Sequence, residues 1–170
     1  MKRVFSALVL AALVAAMLTG CGLTVPRPEI KEGKFDFSVT YELNGETKTI
    51  SGVYVCEYNG TDWALDGGSH RDWKGCIEGG SEDDCFEIGT TEDGGVIIIS
   101  MHLSADYFMG ENVTGGLDLP EPELMIQYPY DELGGMQMIR EAEIIEQNYG
   151  AKIISYEYDA PIENSFGLFK

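Results

Sequence analysis

Apolar and polar residues alternate without a miss over residues 34–43. Phe35, Phe37, Val39, Tyr41 and Leu43 fall on one side; Lys34, Asp36, Ser38, Thr40 and Glu42 fall on the other. A period of two belongs to a strand buried on one face. Asn44-Gly45 follows, a pair that accepts positive φ at both positions and so predicts a tight hairpin. Residues 47–58 return as a second strand rich in Thr, Ile, Val and Tyr. Gly52 within it predicts a bulge or bend, and Asn59-Gly60 the next turn. Further turns are expected at Asp66-Gly67-Gly68, Glu78-Gly79-Gly80 and Asp93-Gly94-Gly95, with short strands between them over residues 61–66, 71–78 and 84–90. Residues 96–103 are almost continuously apolar, as in a central strand buried on both faces. Residues 124–128 offer another strand.

One helix is expected near the C-terminus. Ala142, Ile145 and Tyr149 recur at i, i+3 and i+7, and Gly150 stands where a glycine cap belongs. Residues 152–159 then predict a last strand, with Ile154, Tyr156 and Tyr158 on one face. Short strands at regular spacing make the chain mainly β: an antiparallel β-sandwich or barrel-like domain with one short C-terminal helix. Residues 104–122 do not fit this meander. Loops longer than about 15 residues are often functional, and Tyr107, Phe108 and Met109 lead this one as a candidate contact surface.

The N-terminus reads differently. Lys2 and Arg3 precede an uncharged stretch, residues 4–18, in which Ser6 is the sole polar side chain before Thr19. That is shorter than the roughly 20 apolar residues of a spanning helix, and it has the form of a signal peptide. Leu18-Thr19-Gly20-Cys21 then resembles the lipobox of bacterial lipoproteins at all four positions. The resemblance implies that the Cys21 thiol receives a diacylglyceryl group as a thioether and that the leader, residues 1–20, is cut away. Two acyl chains, at roughly 0.8 kcal/mol per buried methylene, hold a protein on a bilayer where one holds it marginally. Residues 21–33 are expected to be the lipidated end and a Pro/Gly tether carrying Pro26 and Pro28. Twelve residues in extended polyproline geometry span about 37 Å. Residues 34–170 form the extracytoplasmic domain in this reading. The mature chain also resembles small uncharacterised lipoproteins of Gram-positive bacteria, in residues 37–58 (FSVTYELNGETKTISGVYVCEY), 88–95 (IGTTEDGG) and 153–161 (IISYEYDAP). That resemblance implies a location and no chemistry.

Composition narrows the function. The 170 residues carry 11 basic against 29 acidic side chains, a formal charge of −18. With 44% hydrophobic and 11% aromatic residues the chain has enough core-formers to fold. Loss of the leader removes two basic residues and no acidic one, moving the charge from −18 to −20. Such a surface repels nucleic-acid phosphates and anionic headgroups alike, so the lipid anchor is the expected membrane partner. An envelope protein or a cell-wall glycan is the expected ligand.

Candidate chemistry is sparse. Cys76 and Cys85 flank the Gly79-Gly80 turn, and on paired strands they could form a disulfide, which persists outside the cytoplasm; Cys56 reads as a buried free thiol. Cys56, His70, Cys76 and Cys85 have the residue types of a zinc site but none of its spacings. Ser69-His70-Arg71-Asp72 are chain neighbours and cannot by themselves form a nucleophile–base relay. His102 reads as a packed or edge histidine. The acidic turns Ser81-Glu82-Asp83-Asp84 and Thr91-Glu92-Asp93-Gly94 do not match the calcium loop. No metal and no cofactor are expected. Trp63 and Trp73, with Tyr54, Tyr58 and Tyr107, could stack on sugar rings, although most aromatics of a β-domain are core. The expected function is a non-catalytic, membrane-anchored binding module of the cell envelope. An envelope hydrolase would instead show a pocket of converging perturbed groups, and a spacer neither feature.

Overall fold

A computed structural model describes residues 25–63, 69–80, 84–111, 120–130 and 135–167. Its elements are β1 (Arg27–Pro28), β2 (Glu32–Leu43), β3 (Glu46–Trp63), β4 (Ser69–Ile77), β5 (Cys85–Thr90), β6 (Val96–Ser100), α1 (Ala105–Phe108), β7 (Glu123–Gln127), β8 (Met138–Ile139), α2 (Ala142–Tyr149), β9 (Ala151–Tyr158) and β10 (Phe166–Gly167). Two four-stranded antiparallel sheets, in the orders β4-β3-β2-β9 and β5-β6-β7-β8, face each other across one core. One of them is curled, and the whole is the mainly β, sandwich-like domain expected.

The alternation in β2 does what its period requires. Phe35, Phe37, Val39, Tyr41 and Leu43 are all buried, and the residues between them are not. Asn44 (φ 53°) and Gly45 (φ 82°) make the hairpin turn into β3. From the second sheet, Ile97, Ile99, Leu124 and Ile126 meet this face. Burying an aliphatic or aromatic side chain of this size contributes about 1.5–3 kcal/mol, so the two inner faces hold the sheets together. β6 is central, with Ile97, Ile98, Ile99 and Ser100 all buried, as its unbroken apolar run predicts. Helix α2 buries Ile145 and ends at Gly150 in the left-handed region (φ 60°), the expected glycine cap.

Several expectations are corrected. Gly52 is not a bulge: it pairs in register with Phe37, and an added Cβ would lie 2.7 Å from the Phe37 ring. The glycine leaves room for the aromatic to lie across the neighbouring strand. Asn59-Gly60 is not a turn. The register shifts between Tyr58 and Gly60, Gly60 has φ 120°, and β3 runs on to Trp63. The expected tether, residues 21–33, is not extended free chain throughout, because Arg27–Pro28 pair with β10 and β2 begins at Glu32. Pro28 is tolerated because a two-residue ribbon asks for few ladder donors. The stretch 104–122 is not wholly irregular, since α1 lies within it. The turn at Asp66-Gly67-Gly68, residues Ser81, Glu82 and Asp83 of the first acidic turn, and the leader with Cys21 lie outside the described residues.

Candidate functional site

Helix α1 begins at Ser104, whose Oγ accepts from the Tyr107 N–H at 3.4 Å, and its single turn sends neighbouring side chains in opposite directions. Phe108 (1% exposed) and Met109 (0% exposed) point into the core, and Tyr107 stays half-buried at its rim. The Phe108 ring meets Phe35 (4.8 Å between centroids), Tyr54 (5.6 Å), Tyr107 (5.2 Å) and Tyr158 (6.2 Å). The Ile162 N–H donates to the Phe108 carbonyl at 3.0 Å, which ties the chain after β9 to this helix.

Where α1 meets β9 the sandwich opens into a groove of about 540 Å³ lined by Tyr107, Pro120, Tyr156, Glu157, Tyr158, Asp159, Ala160 and Pro161. The wall is aromatic and imino-acid surface with two carboxylates and no basic side chain. Tyr156 and Tyr158 share a face of β9, opposite Val39 and Phe37 of β2, with ring centroids 5.7 Å apart. A bulge opposite Thr40 and Tyr41 hands the inward face from Tyr156 to Ile153 and leaves Ile154 49% exposed. Burial raises the pKa of the Tyr156 phenol, helped by the Glu121 carboxylate that accepts its hydrogen bond. Burial likewise pushes the Tyr158 phenol up, and its oxygen has no hydrogen-bond partner among the described residues.

A second polar cluster holds the chain ends. Arg71 on β4 grips Glu111 through two guanidinium nitrogens, one of them Nη2 at 2.6 Å from Oε2, and the Trp73 indole donates to Oε1 at 2.9 Å. Arg71 Nη1 also donates to the Pro26 carbonyl at 3.0 Å, and the guanidinium lies 3.8 Å over the Phe166 ring. Burial alone would raise the Glu111 carboxyl, but the hydrogen bonds from Arg71 and Trp73 and the guanidinium charge outweigh it and hold it below its ordinary value. Burial, followed by the nearby Glu111 charge, raises the Asp106 carboxyl instead.

The residues singled out in the sequence are therefore scattered. Tyr107 lines the groove. Trp73, Phe108 and Met109 are core, at 8%, 1% and 0% exposure, and cannot form a contact surface. The Trp63 side chain lies outside what the structure describes. Cys56, Cys76 and Cys85 are free thiols. Cys76 opposes Val55 in one sheet and Cys85 opposes Ser100 in the other, so the cross-strand disulfide expected of them is absent. Cys56 is fully buried, and desolvation pushes its thiol up to about 12. His102 is exposed beside Glu123 at 3.2 Å. Asp93 takes hydrogen bonds from Thr91 and Tyr128, which lower its carboxyl. No group of three metal-ligating side chains converges among the described residues. No helix among them is long and apolar enough to cross a membrane.

Sequence reasoning missed Tyr156, Tyr158 and Pro161 as site residues. The tyrosines were legible as strand residues. What makes them a site is that β9 sits at a sheet edge beside α1, and strand order is a long-range property. No known protein family, no curated protein and no solved structure matches the chain.

Proposed function

We propose that this protein is a lipid-anchored, extracytoplasmic binding module of the bacterial cell envelope, and that the tyrosine groove between α1 and β9 is its contact site. The observation that carries the location is the sequence Leu18-Thr19-Gly20-Cys21 directly after a charged start and a short apolar run. A lipid on Cys21 would leave residues 22–25 between the anchor and the Pro26 carbonyl that Arg71 holds, about 12 Å if extended at ~3.1 Å per residue. The groove supports binding rather than catalysis. A hydrolase of the carboxylate-pair kind needs two carboxyls of unlike acidity that can reach a substrate. Asp106 and Glu111 have unlike acidity, but both Glu111 oxygens are taken by Arg71, and one also by Trp73.

The test has two arms. Cells expressing the native chain should hold it in the membrane fraction, whereas Cys21→Ser should release it or leave it unprocessed. Envelope fractions stripped of the native protein should rebind the added protein, and Tyr156→Ala with Tyr107→Ala should weaken rebinding by about tenfold, about 1.4 kcal/mol. Equal fractionation of a Cys21→Ser chain that has lost residues 1–20 would defeat the anchor. Undiminished rebinding of the double variant would defeat the groove as the site.

A further inference from the structure

The groove runs along a strand edge whose hydrogen-bonding groups can be assigned. β9 is the outermost strand of its sheet, with β2 on its inner side. The Asp159 N–H donates to the Asp36 carbonyl at 2.9 Å, which sets the phase of the antiparallel ladder. Bonded and non-bonded pairs alternate along such a ladder. Ser38 with Glu157 and Thr40 with Ser155 are therefore the bonded pairs, and the N–H and C=O of Tyr156 and Tyr158 point away from β2, toward the outer edge. No backbone partner for these groups occurs among the described residues. The same two residues supply the aromatic wall of the groove. An edge strand with unpaired main-chain groups and exposed apolar side chains is a template for another strand.

Charge selects the occupant. Glu157 and Asp159 line the groove, Glu121 accepts from the Tyr156 phenol, and no basic side chain lines it. A second copy of this chain, paired β9 to β9, would bring the same carboxylates against one another on two bodies each of charge −18. A neutral glycan could stack on the tyrosines but would leave the main-chain donors and acceptors to irregular partners. An extended segment bearing Lys or Arg satisfies all three features: its backbone pairs with the edge, its cations meet the carboxylates, and its alternate side chains enter the tyrosine groove, where a cation gains further from the ring faces. We propose that β9 takes up an extended, basic peptide segment of another protein as an added strand. The bulge at Ile154 confines regular pairing to the Tyr156–Tyr158 end. This proposal rests on the binding-module reading above and supplies its ligand class.

The experiment uses the full chain purified in detergent micelles. In the free protein the Tyr156 and Tyr158 amides should exchange with deuterium quickly, and those of Glu157 and Ser155 slowly. The probe is a short capped peptide alternating lysine with valine or threonine. It should slow exchange at Tyr156 and Tyr158 by at least about tenfold, equivalent to 1.4 kcal/mol. Glutamate in place of lysine, or N-methylation of alternate residues, should abolish the effect, and Glu157→Lys should weaken it without changing the exchange of the core strands. Slow exchange at Tyr156 and Tyr158 before any peptide is added, in a monomer or in a dimer, would show the edge already covered and overturn the proposal. So would equal protection by the glutamate peptide, or no protection by the lysine peptide. Protection by a chitin oligosaccharide alone would also overturn it, while leaving the binding-module reading standing. Loss of envelope rebinding is the separate failure of that reading.

Discussion

Glu111 shows how one side chain can hold a fold's two ends. Its side chain is 12% exposed and that of Arg71 14%, so neither has water enough to replace the other. Removing one partner of such a pair leaves a buried charge and costs about 3 kcal/mol. Glu111→Gln should lower the unfolding free energy by about that amount at neutral pH, as read by chemical denaturation. The pH dependence has a definite sign. The folded carboxyl titrates below its ordinary value of 4.5, so its contribution is complete above that pH and is lost as pH falls through the lower folded value. The gap between native and Glu111→Gln stability should close in acid and stay constant above neutrality. A gap that widens in acid would contradict the assignment. The cysteines give a second check at this scale. Cys76 and Cys85 are exposed, whereas Cys56 is buried with its thiol pushed up to about 12. A disulfide reagent should titrate the thiols of Cys76 and Cys85 quickly in the native protein and that of Cys56 only on unfolding. One reactive thiol, or none, would point to a bond the structure does not contain.

Elements were legible in the sequence where their signal is local. The strict alternation of residues 34–43, the Asn44-Gly45 turn and the Gly150 cap each depend on a handful of neighbours, and each stands in the structure as expected. Gly52 and Asn59-Gly60 were misread because a glycine in a strand has several causes. Whether it makes a bulge, a turn or a seat for an aromatic depends on the facing strand. Gly75 is a case that sequence alone does not mark. An added Cβ there would lie 1.8 Å from the Tyr54 Oη, and that phenol packs over the glycine from β3. Gly75→Ala should therefore destabilise the domain by about 1–3 kcal/mol, the range for overpacking a filled site. Thermal unfolding measures it, and an unchanged midpoint would mean that the Tyr54 ring moves aside freely.

At the scale of the molecule, the fold class was readable and the site was not. Composition and turn spacing foretold a sandwich or barrel-like domain, because burying alternate faces is the stable solution for many short strands. The groove depends on which strand ends up at the sheet edge and on where α1 docks. Neither leaves a trace in a window of neighbouring residues. Phe108 and Met109 looked like contact residues because an aromatic or a methionine in an irregular stretch has no period to betray its burial, and Trp73 because its strand has no clear alternation to mark the inward face. The Arg71 cluster joins the same scale from the other side. It binds the carbonyl of Pro26 and the ring of Phe166, so the point where the chain leaves toward Cys21 is fixed to the body of the domain. A lipid on Cys21, as proposed, would tether the domain at this point.

The account as a whole depends on the covalent state of that N-terminus, and the mass of the N-terminal peptide of the native protein, purified from its own membranes, tests it most directly. The account predicts a chain that begins at Cys21 with a diacylglyceryl thioether on its sulfur. A chain that still carries Met1 to Gly20, or one that begins at Cys21 with a free thiol, would contradict it.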